Sequence, residues 1–176
     1  NAIKILERKK DLRVMQFSNL NLLPKFVGDD VLGLYNFKNL SAGEFLVETP
    51  YLSSIRSVED LVLDPMIRGK FVSRDPTEKE LEDMLSAWYV NLGVRSNGIV
   101  FFKDGISLSI KSDSHSRIGA VRQAIAHIEK FSLKDIVCSS DGFFPFRDSI
   151  DTMSRVGVSA IIQPGGSKND EEVIEA

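Results

Sequence analysis

The chain has 176 residues, of which 43% are hydrophobic and 27% charged, the composition of a globular protein with room for one hydrophobic core. Its net charge of −3 excludes the strong positive field that draws a protein to nucleic acid or to a membrane surface. A single cysteine excludes an internal disulfide framework, and no apolar run reaches the roughly 18 residues of a membrane span. We therefore expect a single cytoplasmic domain over residues 1–176. We also expect it to be part of a longer protein, because it begins without a methionine and ends inside a helical pattern.

The first third of the chain carries weak secondary-structure patterns. Residues 2–9 favour a short helix, residues 12–17 a strand and residues 43–50 a second strand. A stronger signal begins at Thr77, which is followed three positions later by Glu80, the spacing of a capping box. Apolar residues then recur at helical spacing, which predicts a helix with one buried face. They are Leu81, Met84, Leu85, Trp88, Tyr89 and Leu92.

Strands and helices alternate in the second half of the chain. The predicted elements are a β-hairpin around residues 103–105, a helix capped by Ser116, a strand over 135–140, a helix over 148–155 capped by Asp148 and stopped by Gly157, a strand over 158–163, and a helix opened by residues 165–167. This alternation favours an α/β layer with mainly parallel strands.

Two segments follow predicted buried strands, at the edge of an α/β sheet where ligands bind. The first is SSDGFFPFRDS (139–149), whose aromatic rings can stack on a flat heterocycle and whose Asp148 can accept hydrogen bonds from ring nitrogens. The second is QPGGSKND (163–170), whose glycines allow backbone amides to approach a ligand and whose helix N-terminus favours anions. The structural alternatives are Asp148 as a helix cap, core positions for Phe143, Phe144 and Phe146, and a capping box of Ser167 with Asp170.

Other motifs with known chemistry are incomplete. Residues 127–129 spell H-x-E, as in zinc deaminases, but no P-C-x-x-C follows, so we expect no zinc site. The sequence contains neither a G-x-G-x-x-G nor a P-loop. Two histidines and one cysteine do not assemble into a nucleophile with a base and an orienting acid.

Several stretches resemble a known family. They are RSNGIVFFKDG (95–105), Ser116-Arg117, SDGFFPFRDSID (140–151) and IIQPGGSKNDEEVIEA (161–176). Together with DPTEKELEDMLSAWYV (75–90) and GEFLVET, they resemble the C-terminal part of the AICAR formyltransferase family over residues 40–176. That family is the transformylase portion of the bifunctional purine-biosynthesis enzymes that also carry IMP cyclohydrolase.

The resemblance implies transfer of a formyl group from 10-formyltetrahydrofolate to 5-aminoimidazole-4-carboxamide ribotide, by a cytoplasmic homodimer. It also implies an α/β, cytidine-deaminase-like layered fold, with a mixed sheet, helices on its faces and no zinc site. The residues implied on the nucleotide side are Asn97 and Arg117. The residues implied on the folate side are Ile118, Phe143, Asp148, Ser167 and Lys168.

The resemblance further implies a potassium ion held mostly by backbone carbonyls. Its ligands would be Asn91, Val94, Ser96, Gly98 and Asp141. Asp141 ends a predicted buried strand, where an unpaired carboxylate is costly and a hard cation would relieve that cost. The alternative is that Asp141 accepts hydrogen bonds from the Ser96 hydroxyl and nearby amides.

Two departures from the family leave two functions open. The family's catalytic lysine-histidine motif lies upstream and its aromatic-histidine tail lies beyond Ala176, so no catalytic residue is assigned and residues 1–176 alone should be inactive. The family's G-x-G-A-G-Q is replaced by residues 109–114, in which Asp113 would repel a phosphate. The alternative to an enzyme is a diverged or truncated module that binds a folate or nucleotide or serves in assembly. The upstream sequence would decide between them.

Overall fold

The computed structural model describes residues 2–15, 17–61 and 74–176, and only the backbone of Ala2 and Leu20. The chain divides into two compact units, Asn1–Ser54 and Ile55–Ala176, which we call unit 1 and unit 2. The single domain expected over residues 1–176 stays a prediction. In the described parts of the chain, no helix is long and apolar enough to cross a membrane.

Unit 1 contains one α-helix and a two-stranded sheet. Helix α1 spans Ala2–Leu6, and strands β1 (Asn36–Asn39) and β2 (Phe45–Glu48) are antiparallel. The expected first helix and the strand within residues 43–50 are therefore confirmed. The strand expected over residues 12–17 is wrong for the described residues of that stretch, which have no strand conformation. A strand needs a hydrogen-bonded neighbour, and those residues have none in the described part of the chain.

Unit 2 is built on a four-stranded sheet in the order β4-β3-β5-β6. The strands are β3 (Ile99–Lys103), β4 (Ile106–Lys111), β5 (Ile136–Ser140) and β6 (Val158–Ile162). Strand β3 pairs antiparallel with both β4 and β5, whereas β5 pairs parallel with β6. The expected mixed sheet is confirmed, and the expectation of mainly parallel strands is wrong.

The strand directions have two local causes. The two-residue turn at Asp104 and Gly105, with φ of 54° and 76°, closes β3 and β4 into a hairpin, which is antiparallel. From β4 the chain crosses through helix α3 (Arg117–Ile128) to β5, so β4 and β5 run in the same direction. Strand β3 lies between them and is antiparallel to both. The alternation in the sequence therefore predicts that a helix connects β4 to β5. It does not predict that β3 lies between these two strands in the sheet.

Helices cover both faces of this sheet, as expected. Successive residues of β3 and β5 point to opposite faces, so each face has its own hydrophobic core. One core packs against helix α2 (Glu78–Asn91). The other packs against α3, α4 (Asp148–Ser154) and α5 (Asp170–Glu175). Single turns of 3₁₀ helix occupy Leu20–Leu22, Ser41–Gly43, Val58–Asp60 and Glu129–Phe131.

Two buried carboxylates on α2 tie this helix to the sheet. Glu80 forms the predicted capping box and also accepts hydrogen bonds from the Arg74 guanidinium at 2.7 Å and from the Ser159 hydroxyl of β6 at 2.6 Å. Asp83 accepts the backbone N–H groups of the hairpin turn, residues 104 and 105, at 2.8 and 2.9 Å. The helical spacing of apolar residues gave no sign of either contact.

The chain's single cysteine, Cys138, lies in the middle of β5 and is 0% exposed. It belongs to the core on the side of α3 and α4. Burial raises the pKa of the Cys138 thiol, so the thiol stays protonated and unreactive in the folded chain.

Candidate functional site

Four segments of unit 2 meet at one edge of its sheet. Strands β5 and β6 are parallel, so the segments that follow them, 141–148 and 163–170, lie at the same edge. Strand β3 is antiparallel to β5, so the segment 96–98 that precedes β3 lies there too. Strand β4 ends opposite the start of β3, which adds residues 112–117. We call this edge the candidate site.

Hydrogen bonds join the two segments that the sequence singled out. The backbone N–H of Phe144 donates to the Gln163 side-chain oxygen at 2.8 Å. The Asn169 side-chain amide donates to the Pro145 carbonyl, also at 2.8 Å. These two hydrogen bonds therefore hold the segments 141–148 and 163–170 together. Sequence reasoning missed both side chains, because a carboxamide near a strand end is too common to mark a contact.

The three phenylalanines of the first segment have different environments. Phe144 is 0% exposed and belongs to the core beside α3 and α4, as the structural alternative proposed. Phe143 and Phe146 are 44% and 58% exposed, so the core alternative is wrong for them. Only these two rings present area on which a flat ligand could stack.

Asp148 is not the N-cap of α4, so that expectation is wrong. The N-cap position belongs to Arg147, whose helical φ and ψ of −66° and −17° place Asp148 inside the first turn. The Asp148 side chain is exposed, and its hydrogen bond is a long one of 3.4 Å from the Ser149 hydroxyl. Its carboxylate therefore does no capping.

The glycine-containing segment is held by Asp170. One oxygen of this carboxylate, Oδ2, accepts the backbone N–H groups of Gly166 at 2.7 Å and Ser167 at 3.1 Å. The Ser167 hydroxyl accepts from the backbone N–H of Asn169 instead of that of Asp170, so the expected capping box is only half formed. Two of the amides that were expected to approach a ligand are thus occupied by a side chain of the protein. Lys168 is exposed.

Arg117 and Asp141 form an ion pair at the centre of the candidate site. The Arg117 guanidinium donates to Asp141 Oδ1, and the same oxygen accepts the backbone N–H of Gly98 at 2.7 Å. The Gly98 carbonyl in turn accepts from Arg117 at 3.3 Å and from the Asp141 backbone N–H at 3.2 Å. The ends of β3 and β5 and the start of α3 are thereby held together.

The charge of Asp141 is set by these contacts. Burial opposes ionisation of Asp141, but hydrogen bonds from the Ser96 hydroxyl and the Arg117 guanidinium lower its pKa below the ordinary value. The amide part of the predicted alternative is confirmed, since the Gly98 backbone N–H donates to the Asp141 carboxylate. The ion pair with Arg117 is a contact that sequence reasoning missed.

Asn97, the other residue expected on the nucleotide side, connects two of the four segments. Its side-chain amide donates to the Ser114 carbonyl at 2.7 Å. Ser116 caps α3 as predicted by accepting the Gly119 backbone N–H at 3.1 Å, and Ile118 is half-buried in the first turn of this helix. Asp113 has a φ of 58° and is exposed beside them.

Three of the oxygen-bearing groups expected around a potassium ion already have partners, namely the Asn91 carbonyl, the Gly98 carbonyl and the Asp141 carboxylate. The Asn91 carbonyl accepts the Val94 backbone N–H at 2.9 Å, and Asp141 is paired with Arg117. The side-chain Oδ1 of Asn91, by contrast, is buried without a hydrogen-bond partner among the described residues. It points at Gly98, where an added Cβ would lie 2.6 Å from it. The described residues contain no cluster of three or more His, Cys, Asp or Glu side chains that could hold a metal.

Unpaired buried atoms concentrate at the candidate site. Four buried side-chain polar atoms lack a hydrogen-bond partner within the residues that the structure describes. Three of them are Asn91 Oδ1, Arg117 Nε and Asp170 Oδ1, which lie in or beside the four segments. Buried polar atoms are normally paired, so each of these three needs an explanation, and a bound ligand or ion is one.

Known proteins match nearly the whole chain. A family model described as AICARFT/IMPCHase bienzyme matches residues 1–127. The bifunctional purine biosynthesis protein PurH of Caldicellulosiruptor bescii is 39% identical over 175 residues, which are 99% of this chain and 30% of that protein. The PurH protein of Aquifex aeolicus is 38% identical over 99% of this chain and 31% of its own length. That of Nostoc punctiforme is 35% identical over 99% of this chain and 30% of its own length.

These matches cover the candidate site but only part of each relative. An alignment over 175 residues extends past residue 127 and includes the segments 141–148 and 163–170. The chain spans about 30% of the length of the curated relatives it matches.

Proposed function

This chain belongs to the AICARFT/IMPCHase bienzyme family, and from that premise we propose that the protein containing it transfers a formyl group from 10-formyltetrahydrofolate to 5-aminoimidazole-4-carboxamide ribotide in purine biosynthesis. The observation that carries the proposal is the meeting of four segments at the candidate site, with both predicted ligand segments joined by hydrogen bonds. A cytidine-deaminase-like fold, a homodimer and a cytoplasmic location belong to the same proposal.

The folate side of the site would be formed by exposed or half-exposed groups. Phe143 offers a ring for stacking on the pterin, and Asp148 offers a carboxylate that no helix cap occupies. Lys168 is an exposed cation that can pair with a carboxylate of the folate tail. Ile118 and Ser167 complete this side as half-buried residues at the start of α3 and in the glycine-containing segment.

The nucleotide side would be formed by Asn97 and Arg117. Asn97 is held in orientation by its hydrogen bond to the Ser114 carbonyl. Arg117 is committed to Asp141 and Gly98, so we propose that it acts as a positioning residue that holds the start of α3 beside the start of β3. Its share in binding the nucleotide would then be indirect.

In the proposed reaction the substrate amine bonds to the formyl carbon, the bond from that carbon to N10 of the folate breaks, the amine loses a proton, and N10 of the tetrahydrofolate product gains one. The residues of this chain would bind the two reactants and align them, an effect worth about 7–11 kcal/mol of barrier when the alignment is good. Help with the proton is typically worth about 10²–10⁴ in rate, and we assign it to a lysine-histidine motif outside residues 1–176.

Potassium stays a prediction with evidence on both sides. The unpaired Oδ1 of Asn91 supports an ion, because a buried oxygen without a partner is costly. The ion pair of Asp141 with Arg117 opposes it, because the carboxylate already has a counter-charge. No step of the proposed reaction depends on the ion.

A binding module without catalysis is the second candidate. The observation that favours it is Asp113, an exposed carboxylate in the segment 112–117, where it would repel the phosphate of a nucleotide. Such a module would keep the folate side and lose the nucleotide side.

The two candidates are separated by assaying the intact protein with both substrates and by titrating it with folate in a calorimeter. The enzyme should bind folate and turn over, and residues 1–176 alone should be silent. Folate binding without turnover by the intact protein would establish the binding module. Turnover by residues 1–176 alone would contradict the placement of the proton-transfer groups outside them.

A further inference from the structure

The β1–β2 hairpin of unit 1 has two chemically different faces. The register pairs Phe37 with Val47, and Phe45 lies two residues before Val47, so these three side chains point to the same side. We call Phe37, Phe45 and Val47 the apolar hairpin face. The opposite side carries an ion pair of 2.7 Å between Lys38 and Glu48.

The apolar hairpin face is uncovered within unit 1. Phe37, Phe45 and Val47 are 67%, 61% and 46% exposed, and the centroids of the two rings lie 6.1 Å apart. The hairpin holds a fixed register, because the Leu40 backbone N–H donates to the Glu44 carbonyl at 2.8 Å across the loop. The three side chains therefore form a preformed surface.

A surface of this composition needs a cover. A two-stranded hairpin alone is at best marginally stable in water, and contiguous exposed apolar side chains mark contact surfaces. Most of the large hydrophobic side chains that are exposed in the described residues lie in unit 1, although unit 2 is the larger unit. The ion pair on the opposite side shows which face of the hairpin is suited to solvent.

We propose that the apolar hairpin face docks on the part of the same protein chain that lies outside residues 1–176. The relatives are about three times as long as the matched region, since that region is 30% of their length, so most of the protein is available as a cover. A surface on the same chain is present at a high effective concentration, which favours it over a second molecule. The surface that covers the apolar hairpin face is itself apolar and uncharged, because the apolar hairpin face carries no charge. This inference does not depend on the proposed reaction.

Two neighbouring residues provide a matched test in the intact protein. Val47 lies on the apolar hairpin face and Leu46 on the opposite face, and they are 46% and 44% exposed. We expect Val47→Ser to lower the melting temperature of the intact protein by about 2–4 °C, and Leu46→Ser by less than about 1 °C. Valine favours a strand more than leucine does, so only a difference between the two variants that exceeds this propensity effect supports the proposal. Equal shifts in the two variants would overturn the proposal.

Side-chain footprinting of the unmodified intact protein provides an answer even if a variant fails to fold. Hydroxyl-radical labelling should spare Phe37 and Phe45 and modify Leu46. Labelling of all three would overturn the proposal. If protection of the rings and the melting temperature both rise with protein concentration, the cover is a second copy of the chain, and the docking within one chain is wrong.

Discussion

Asp148 is a carboxylate whose position in the fold leaves it without a structural task. It lies inside the first turn of α4, it is exposed, and its one hydrogen bond is long. A negative charge in the first turn of a helix is favourable, but for an exposed group that effect is small, typically about 0.3–1 kcal/mol. Ligand binding is the role that we propose for it.

Replacing Asp148 with alanine should therefore affect binding more than folding. In the intact protein we expect Asp148→Ala to weaken folate affinity by about 1–3 kcal/mol, since a pterin N–H donor would lose its partner. The melting temperature should change little. Calorimetric titration and thermal unfolding of the same sample measure both quantities.

The control is Asp151→Ala in the same helix. Asp151 is half-buried and paired with Arg147 at 3.0 Å, so its loss changes a charge on α4 without touching the proposed folate contacts. Folate affinity should stay at the level of the unmodified protein. Unchanged affinity in Asp148→Ala, with the fold intact, would remove Asp148 from the folate side.

Glu80, unlike Asp148, is a carboxylate that accepts hydrogen bonds from several groups of the protein. The hydrogen bond from Arg74 is the largest cause that lowers the pKa of Glu80 far below its ordinary value; burial opposes it, and bonds from Ser159 and Thr77 add to it. A folded-state pKa below the unfolded one means that Glu80 stabilises the fold fully above the unfolded value of about 4.3. That contribution is lost as the pH falls from there toward the folded-state pKa.

Glu80→Gln should lower the free energy of unfolding by about 1–3 kcal/mol at pH 7, because a charged acceptor of several hydrogen bonds becomes neutral. The difference from the unmodified protein should shrink as the pH falls below about 4. Urea unfolding at a series of pH values measures it. Glu82→Gln is the matched control, since Glu82 is an exposed residue of the same helix. A difference that is independent of pH would mean that the Arg74 contact does not stabilise the fold.

These two residues show what a sequence pattern can predict at this scale. The capping box of Thr77 and Glu80 was predicted because it depends on two positions three residues apart. The cap assigned to Asp148 was wrong because the boundary of α4 depends on the backbone angles of Arg147, which no residue pattern sets. The contacts of Arg117 with Asp141, and of Glu80 with Ser159, join residues that are distant in the sequence.

Local sequence signals predicted where several helices and strands lie along the chain. The direction of each strand was decided by its pairing with strands that are distant in the sequence. The hairpin turn, the cap of α3 and the strand β5 lie where composition and spacing placed them. The antiparallel pairing of β3 with β5 has no counterpart in the spacing of the residues, since the two strands are separated by β4 and α3. The strand expected over residues 12–17 was wrong for the described residues of that stretch, because strand propensity without a neighbouring strand does not make a sheet.

Gly157 lies in the connection between α4 and β6. Replacing it tests whether the backbone of this connection can adopt another conformation. Its φ of 87° lies in the left-handed region, and a Cβ there would be 2.3 Å from the Leu133 carbonyl oxygen. We expect Gly157→Ala to lower the free energy of unfolding by at least about 2 kcal/mol, from backbone strain and overpacking together. Chemical denaturation measures the loss.

Gly93→Ala is the control for this change. A Cβ on Gly93 would lie 3.7 Å from the Val90 carbonyl, an ordinary contact. It should therefore cost less than about 1 kcal/mol. Similar losses in the two alanine variants would show that the connection before β6 has room to adjust.

At the scale of the whole molecule, half of the candidate site was predicted from the sequence. The segments 141–148 and 163–170 were placed at one edge because parallel strands end together, and β5 and β6 are parallel. The segments 96–98 and 112–117 join them only because β3 is antiparallel to its neighbours. The two segments therefore share one edge although most of the sheet is antiparallel, since one parallel pair is enough to bring them together.

Because Cys138 is buried, the rate at which its thiol is labelled measures how often the folded protein opens. A thiol at the centre of a four-stranded sheet reacts with a disulfide reagent only during the moments when β5 is exposed. When opening is rapid compared with the reaction, the rate of labelling follows the free energy of opening, with a factor of ten for about each 1.4 kcal/mol. Gly157→Ala should thus speed labelling at least about 25-fold if β5 is exposed only by global unfolding. An unchanged rate would mean that the reagent enters through a local opening at one edge of the sheet, with the connection before β6 still in place.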